Sequence, residues 1–253
     1  MMSVTAARVF ALLDSSAPGR AALLAAVELA ARRSASLQAL YVEDEALLRS
    51  AAFPFCSELD AVTGRPRPLD VTTVETRMRR EAEQVRSALE QAVQEHAIQH
   101  QLDVVRGLVV REALERAHDS DLLVIGRTSA TRAFSTGMGT SCRRIVTQAS
   151  CPVLVWNGDT YSRSGRLLLV ADPEARFSDV SNRSISMLTD WLRERGLVRD
   201  VQQMPELPPG RLLRLLESGE HSALVLPRHL LQRFPDAEMR RLDRVDIPVL
   251  VVP

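Results

Sequence analysis

Two stretches of the chain carry residue types that can do chemistry at matching places. Asp14 ends a short apolar run, Val9 to Leu13, and begins Asp14-Ser15-Ser16, residue types that cap helices and make turns. Gly126 ends a second apolar run, Leu122 to Ile125, and opens a segment of small hydroxylated residues that closes at Gly139-Thr140-Ser141, just before a helical pattern. Such a loop can wrap a polyphosphate. Glycine lets the backbone approach, the hydroxyls of Ser129, Thr140 and Ser141 donate hydrogen bonds, and a helix start favours negative charge. Arg127 and Arg132 would add positive charge. In an open parallel sheet, ligands gather at the carboxyl ends of the strands, so the pattern predicts an anion-ready hollow facing Asp14.

The elements that must hold these residues read as alternating strands and helices. After Val9 to Leu13, Leu23, Leu24, Val27, Ala30 and Ala31 share one helical face, and Leu37 to Val42 is a second buried strand. Residues 50 to 70, with Pro54, Gly64, Pro66 and Pro68, lack periodicity and read as a long connection. Val74, Met78, Ala82, Val85, Leu89 and Val93 mark an amphipathic helix over Thr73 to His96, with its charges on the wet side. Leu102 to Val105 is a strand, Arg111 to His118 a helix, Leu122 to Ile125 a strand, Ser141 to Gln148 a helix and Pro152 to Trp156 a strand. Apolar strands of this kind imply a parallel sheet covered on both faces.

Asn157 to Gly165 suits a linker, and then the pattern restarts. Leu167 to Ala171 leads into Asp172-Pro173, a helix carries Ile185, Leu188 and Leu192, and Ala223 to Leu226 and Ile247 to Val252 echo the last two strands of the first half. "PVLVW" against "PVLVV" strengthens the repeat. The expected organisation is a first domain over 1–157 and a shorter second one over 165–253 that lacks the long helix. Pro227 stands where the first copy has Gly126, and no glycine follows Gly219, so the second copy cannot build the same cradle.

Composition narrows the chemistry. The chain has 253 residues, 45% hydrophobic and 25% charged, which is ordinary globular composition. Its 32 basic residues balance 32 acidic ones, so no global field draws it onto nucleic acid or anionic lipid. Every basic residue is arginine. Schiff-base chemistry, the lysine-dependent phosphate loop and a lysine-dependent kinase site are therefore excluded. Cys56, Cys142 and Cys151 are too few and too irregularly spaced for a zinc site or a disulfide scaffold. Neither a signal segment nor a run of about 18 apolar residues occurs, so a cytoplasmic location and no membrane association are expected.

Single residues also have plainer roles. Asp14 suits helix capping as well as ligand contact, and Thr140 or Ser141 suits an N-cap. Cys151 reads as a buried small hydrophobe. His96 and His100 lack a third ligand nearby, and His118, His221 and His229 stand beside no recognisable nucleophile or carboxylate partner.

The stretch "DLLVIGRTSATRAFSTGMGTSCRRIVTQASCPVLVW" resembles the end of a universal stress protein domain. The family signature is G-x2-G-x9-G-[ST]; Gly126, Gly139 and Thr140 fall in register, while Ser129 replaces the second glycine. Asp14 matches the family's aspartate after strand one, and Val42 the position at the end of strand two whose backbone meets adenine. The resemblance spans the first domain and extends to the second, as in tandem members. It implies an α/β fold of two tandem, open, mostly parallel sheets, of five and four strands, with helices on both faces. It also implies ATP, with Mg2+, as the ligand, with Asp14 and Val42 toward base and ribose and Gly126 to Ser141 around the phosphates. Last strands pair between domains in the family, so an intramolecular pseudo-dimer is expected here, with a further homodimer as an additional state. The expected function is a stress-response regulatory or adaptor protein with no assembled general base and at most slow ATP hydrolysis. A nucleotide-free interaction module with an unknown protein partner is the alternative, and an enzyme of the wider adenine-binding α/β group is a third class.

Overall fold

Every residue of the strands Asp121–Gly126 and His221–Pro227 is buried. Runs this apolar must be covered on both faces, which is the condition of a parallel sheet sandwiched between helices. The computed structural model describes residues 8–60, 63–119, 121–127, 139–156, 158, 164–171 and 177–253.

The elements follow in the order β1 (Arg8–Leu13), α1 (Ala17–Arg32), β2 (Ser36–Asp44), α2 (Glu45–Ala51), β3 (Ser57–Leu59), β4 (Pro66–Pro68), α3 (Val71–Val93), β5 (His100–Gly107), α4 (Val109–Arg116), β6 (Asp121–Gly126), α5 (Thr140–Gln148) and β7 (Val153–Trp156). The second half adds β8 (Gly165–Val170), α6 (Asp179–Glu194), β9 (Val198–Met204), α7 (Pro209–Glu217), β10 (His221–Pro227), α8 (Arg228–Gln232), α9 (Asp236–Leu242) and β11 (Val249–Val252).

All strands except β3 and β4 join one nine-stranded sheet in the order β5-β2-β1-β6-β7-β11-β10-β8-β9. Outward from its centre, β7-β6-β1-β2-β5 is mirrored by β11-β10-β8-β9, so the second half repeats the first half's order and stops one strand short. Pairing is parallel within each half and antiparallel where they meet, with Val249 opposite Val155, Leu250 opposite Leu154 and Val251 opposite Val153. The expected two sheets are thus fused into one through their last strands. The antiparallel seam turns the carboxyl ends of the two halves to opposite edges of the sheet.

Alternate strand residues feed two cores. Val9, Val124, Leu154, Val225 and Leu250 lie in one, with α1 and α6; Phe10, Leu123, Val153, Leu224 and Val249 lie in the other, with α5, α7 and α8. Each core runs across both halves, and a fully buried Leu or Val contributes about 1.5–3 kcal/mol. Trp156 and Trp191 meet across the halves at 4.7 Å between ring centroids. Trp191 donates its indole N–H to Glu28 at 2.7 Å, which also accepts from Arg195.

The segment 50–70 holds more structure than its sequence pattern implies: the end of α2, then β3 and β4 paired as a small antiparallel ribbon. Phe53, Phe55 and Leu59 are exposed there. The second half has no counterpart of α3, as expected, since β9 is followed directly by α7.

Candidate functional site

Parallel register brings the predicted residues to one edge of the sheet. Leu13 pairs with Tyr41 and Leu12 with Ile125, so Asp14, Val42 and Gly126 lie at neighbouring positions along adjacent strands. Strand β2 continues two residues past Val42 because Asp44 still pairs with Gly107. Val42 is therefore inside the strand rather than at its end, and its side chain is buried in the core shared with Phe10 and Ile125.

Asp14 is not the cap of α1. That role falls to Ser16, whose hydroxyl accepts from the Gly19 N–H at 3.0 Å. Asp14 instead holds the cap: its Oδ1 accepts from the Ser16 N–H at 3.0 Å and from the Ser16 hydroxyl. This fold-back depends on Gly19, where a Cβ would stand 2.1 Å from Asp14 Oδ1 and 2.6 Å from its carbonyl oxygen. Gly126 is under the same constraint from the other side, since its Cβ would lie 2.6 Å from Pro18 O and 2.9 Å from Gly19 N. The end of β6 and the start of α1 are thus in backbone contact beside Asp14. Next to them, Asp14, Gly19, Arg20, Gln84 and Val85 border a small open crevice.

Helix α5 starts at Gly139 as N-cap, without a side-chain cap hydrogen bond, and Thr140 and Ser141 follow in its first turn, both exposed. Neither hydroxyl caps the helix as expected. First-turn N–H groups have no intrahelical acceptor, which suits them to an anion. Ser129 and Arg132 lie outside the described residues, as does Asp172 in the second half.

Arg127 is placed differently from the phosphate-facing position that its sequence neighbourhood predicts. Its side chain is buried and donates to the backbone carbonyls of Asp243 (3.2 Å), Val245 and Ile247 (3.4 Å), the turn that enters β11. Arg143, on α5, pairs with the Asp243 carboxylate. Burial pushes that carboxyl group up despite the arginine beside it. These contacts join the halves, and sequence neighbours gave no signal of them because the partners are about a hundred residues away.

In the second half Pro227 ends β10, and α8 begins at the next residue, so a short helix follows this strand directly. Arg228 reaches back to the first half, donating to the carbonyls of Val146 (2.8 Å) and Cys151 (2.6 Å).

Cys142 and Cys151 are buried, and desolvation raises their thiols to about 12 and about 11. Tyr41 donates its hydroxyl to Glu81 at 3.0 Å, and burial raises its pKa as well. His221 is buried, with Nε2 3.1 Å from Gln202 Oε1, and His229 lies 2.6 Å from Glu206 on the surface. Among the described residues no group of three or more His, Cys, Asp or Glu is arranged to hold a metal ion, and no helix is long and apolar enough to cross a membrane.

A mostly parallel sheet with helices on both faces defines an α/β fold. Residues 7–157 match the model of the Universal stress protein family, and the chain belongs to that family. No curated protein matches it. Among solved structures it is similar to a universal stress protein from Archaeoglobus fulgidus, at 13% identity and a TM-score of 0.60 over 97% of this chain and 95% of that one. A putative universal stress protein from Pseudomonas aeruginosa is 12% identical, with a TM-score of 0.53 over 99% of this chain and 93% of that one. The fold likeness therefore extends over both halves. The universal stress protein UspA from Lactobacillus plantarum is 23% identical, covering 60% of this chain and 97% of that one, with a TM-score of 0.44.

Proposed function

We propose that this chain is a cytoplasmic stress-response regulator that binds ATP, with its accompanying Mg2+, in the first half, while the second half is a degenerate copy of the family domain that carries no nucleotide. The observation that supports it best is the backbone contact of Gly126 with Pro18 and Gly19 beside Asp14, a closeness that any Cβ would break. The exposed first-turn residues Thr140 and Ser141 lie on α5, on the other side of the loop that Gly126 opens. In this reading Asp14 meets the sugar or base, the first-turn N–H groups and hydroxyls of α5 meet phosphate, and Arg127 contributes by anchoring the base of the loop rather than by touching the ligand. In this reading the role is binding and signalling. A nucleotide that is held and released changes the surface offered to a protein partner.

The test is to denature the purified protein, chromatograph the released small molecules, and titrate ATP into fresh protein by calorimetry. Nucleotide in the extract, or binding below millimolar ATP, supports the reading. Its absence in both, with Ser129→Gly gaining binding, assigns the closure of the site to Ser129. If neither protein binds, the second reading stands: a nucleotide-free interaction module. Phe53, Phe55 and Leu59, exposed around β3, favour it as a contact surface.

A further inference from the structure

At the sheet edge opposite the candidate site, an open crevice lies where the halves meet. Val9 and Leu122, at the starts of β1 and β6, form its apolar floor with Ala35, and Val180 and Met187 of α6 form the facing wall. Three arginines line it: Arg8, Arg33 and Arg183. Arg8 is already engaged by the buried Asp121, by Gln38 and by the carbonyl of Arg116. The side chains of Arg33, just past α1, and Arg183, on α6, are exposed and take part in no ion pair or hydrogen bond among the described residues. Ser184 also lines the crevice, and its hydroxyl makes no hydrogen bond among the described residues. No Asp or Glu is among the described lining residues.

The Ser184 hydroxyl adds a hydrogen-bond donor on the apolar wall. Two free guanidinium forks at the rim raise the local positive potential and suit a carboxylate or sulfonate, to which they donate charge-assisted bonds. Apolar floor and cationic rim together define an amphipathic ligand. We propose that this crevice binds a small organic anion, an aryl or short-acyl carboxylate in free solution, with its head group held by Arg33, Arg183 and the Ser184 hydroxyl and its apolar body against Val9, Leu122, Val180 and Met187. Because Arg33 belongs to the first half and Arg183 to the second, the ligand bridges the halves and stabilises their joint fold.

The test uses the full chain and two probes, the fluorescent aryl sulfonate anilinonaphthalenesulfonate and the fatty acid octanoate. The dye should bind saturably at one site and be displaced by octanoate but not by octanol at equal concentration. Arg33→Glu and Arg183→Glu should each weaken dye binding by about tenfold or more, the loss of one charge-assisted bond, while Arg79→Glu on α3 leaves it unchanged. Octanoate should raise the melting temperature of the parent protein and not of the two pocket variants, whose own melting curves report that they are folded. Absence of saturable binding, equal affinity in the folded pocket variants, or loss of the dye signal on Phe55→Ser instead would each overturn the proposal.

Discussion

Arg127 and Arg228 hold equivalent positions and do reciprocal work. Each follows the strand next to the central pair, and each crosses the seam to grip backbone carbonyls just ahead of the other half's last strand: Asp243, Val245 and Ile247 for Arg127, Val146 and Cys151 for Arg228. The sheet's approximate two-fold order is thus repeated at the level of side-chain bonds. Burial lowers the pKa of Arg228, the expected direction for a cation bound to carbonyls alone.

Truncating either arginine removes charge-assisted bonds and leaves buried carbonyls without donors. Arg127→Ala and Arg228→Ala should each destabilise the protein by about 2–3 kcal/mol, read as a lower urea midpoint. Arg→Lys should recover little, because one ammonium cannot span the separate carbonyls that each guanidinium bridges, Asp243, Val245 and Ile247 for Arg127 and Val146 and Cys151 for Arg228. A midpoint unchanged in both Ala variants would show that the clasp contributes nothing to stability.

At the edge of the candidate site, Gly126→Ala forces a methyl group against Pro18 O, a backbone atom that cannot swing aside. The helix start must retreat, at a cost of about 1–3 kcal/mol typical of overpacking. Far-UV circular dichroism on heating should show an earlier melt with the same native spectrum. Should the variant melt like the parent, β6 and α1 are not in the contact described.

Thiol chemistry separates the three cysteines. With Cys142 and Cys151 buried and raised to about 12 and about 11, brief iodoacetamide treatment of native protein at pH 7.5, a value at which about 0.1% or less of either thiol is ionised, should label Cys56 alone. Denatured protein should be labelled at all three cysteines. Peptide mass mapping decides it, and rapid native labelling of Cys151 would refute its burial.

Acid should expose the strain at His221. Burial lowers its pKa in the folded state, whereas the unfolded chain takes up the proton near the ordinary value of about 6.5. Between those two values the unfolded state binds more protons, so the stabilisation is complete above about pH 6.5 and is lost as pH falls through the folded pKa. The urea midpoint should therefore decline below about pH 6.5, and His221→Gln should flatten that decline. An equal decline in the variant assigns it to other groups.

Sequence pattern made the scaffold readable where burial and periodicity coincide. The all-apolar runs ending at Leu13, Ile125, Trp156 and Leu226 became strands, and the stripe from Val74 to Val93 became α3. Strand β9 was missed because it is an edge strand, Val198–Met204, whose polar residues face solvent and leave no apolar run. The β3–β4 ribbon was hidden by its prolines, which local rules assign to loops. At the site, the positions of Asp14 and Gly126 followed from strand ends, but the use of Asp14 to brace Ser16 depends on Gly19, and the diversion of Arg127 depends on a turn 116 residues later. Spacing along the chain cannot report a partner that only tertiary folding supplies.

The β7–β11 seam has a consequence for assembly. Both of its edges are tethered in one polypeptide, so they meet at a local concentration fixed by the chain and not by the solution. Formation of this seam is independent of dilution: the protein can be made scarce without coming apart along its middle, and any change that opens the seam must act on folding itself.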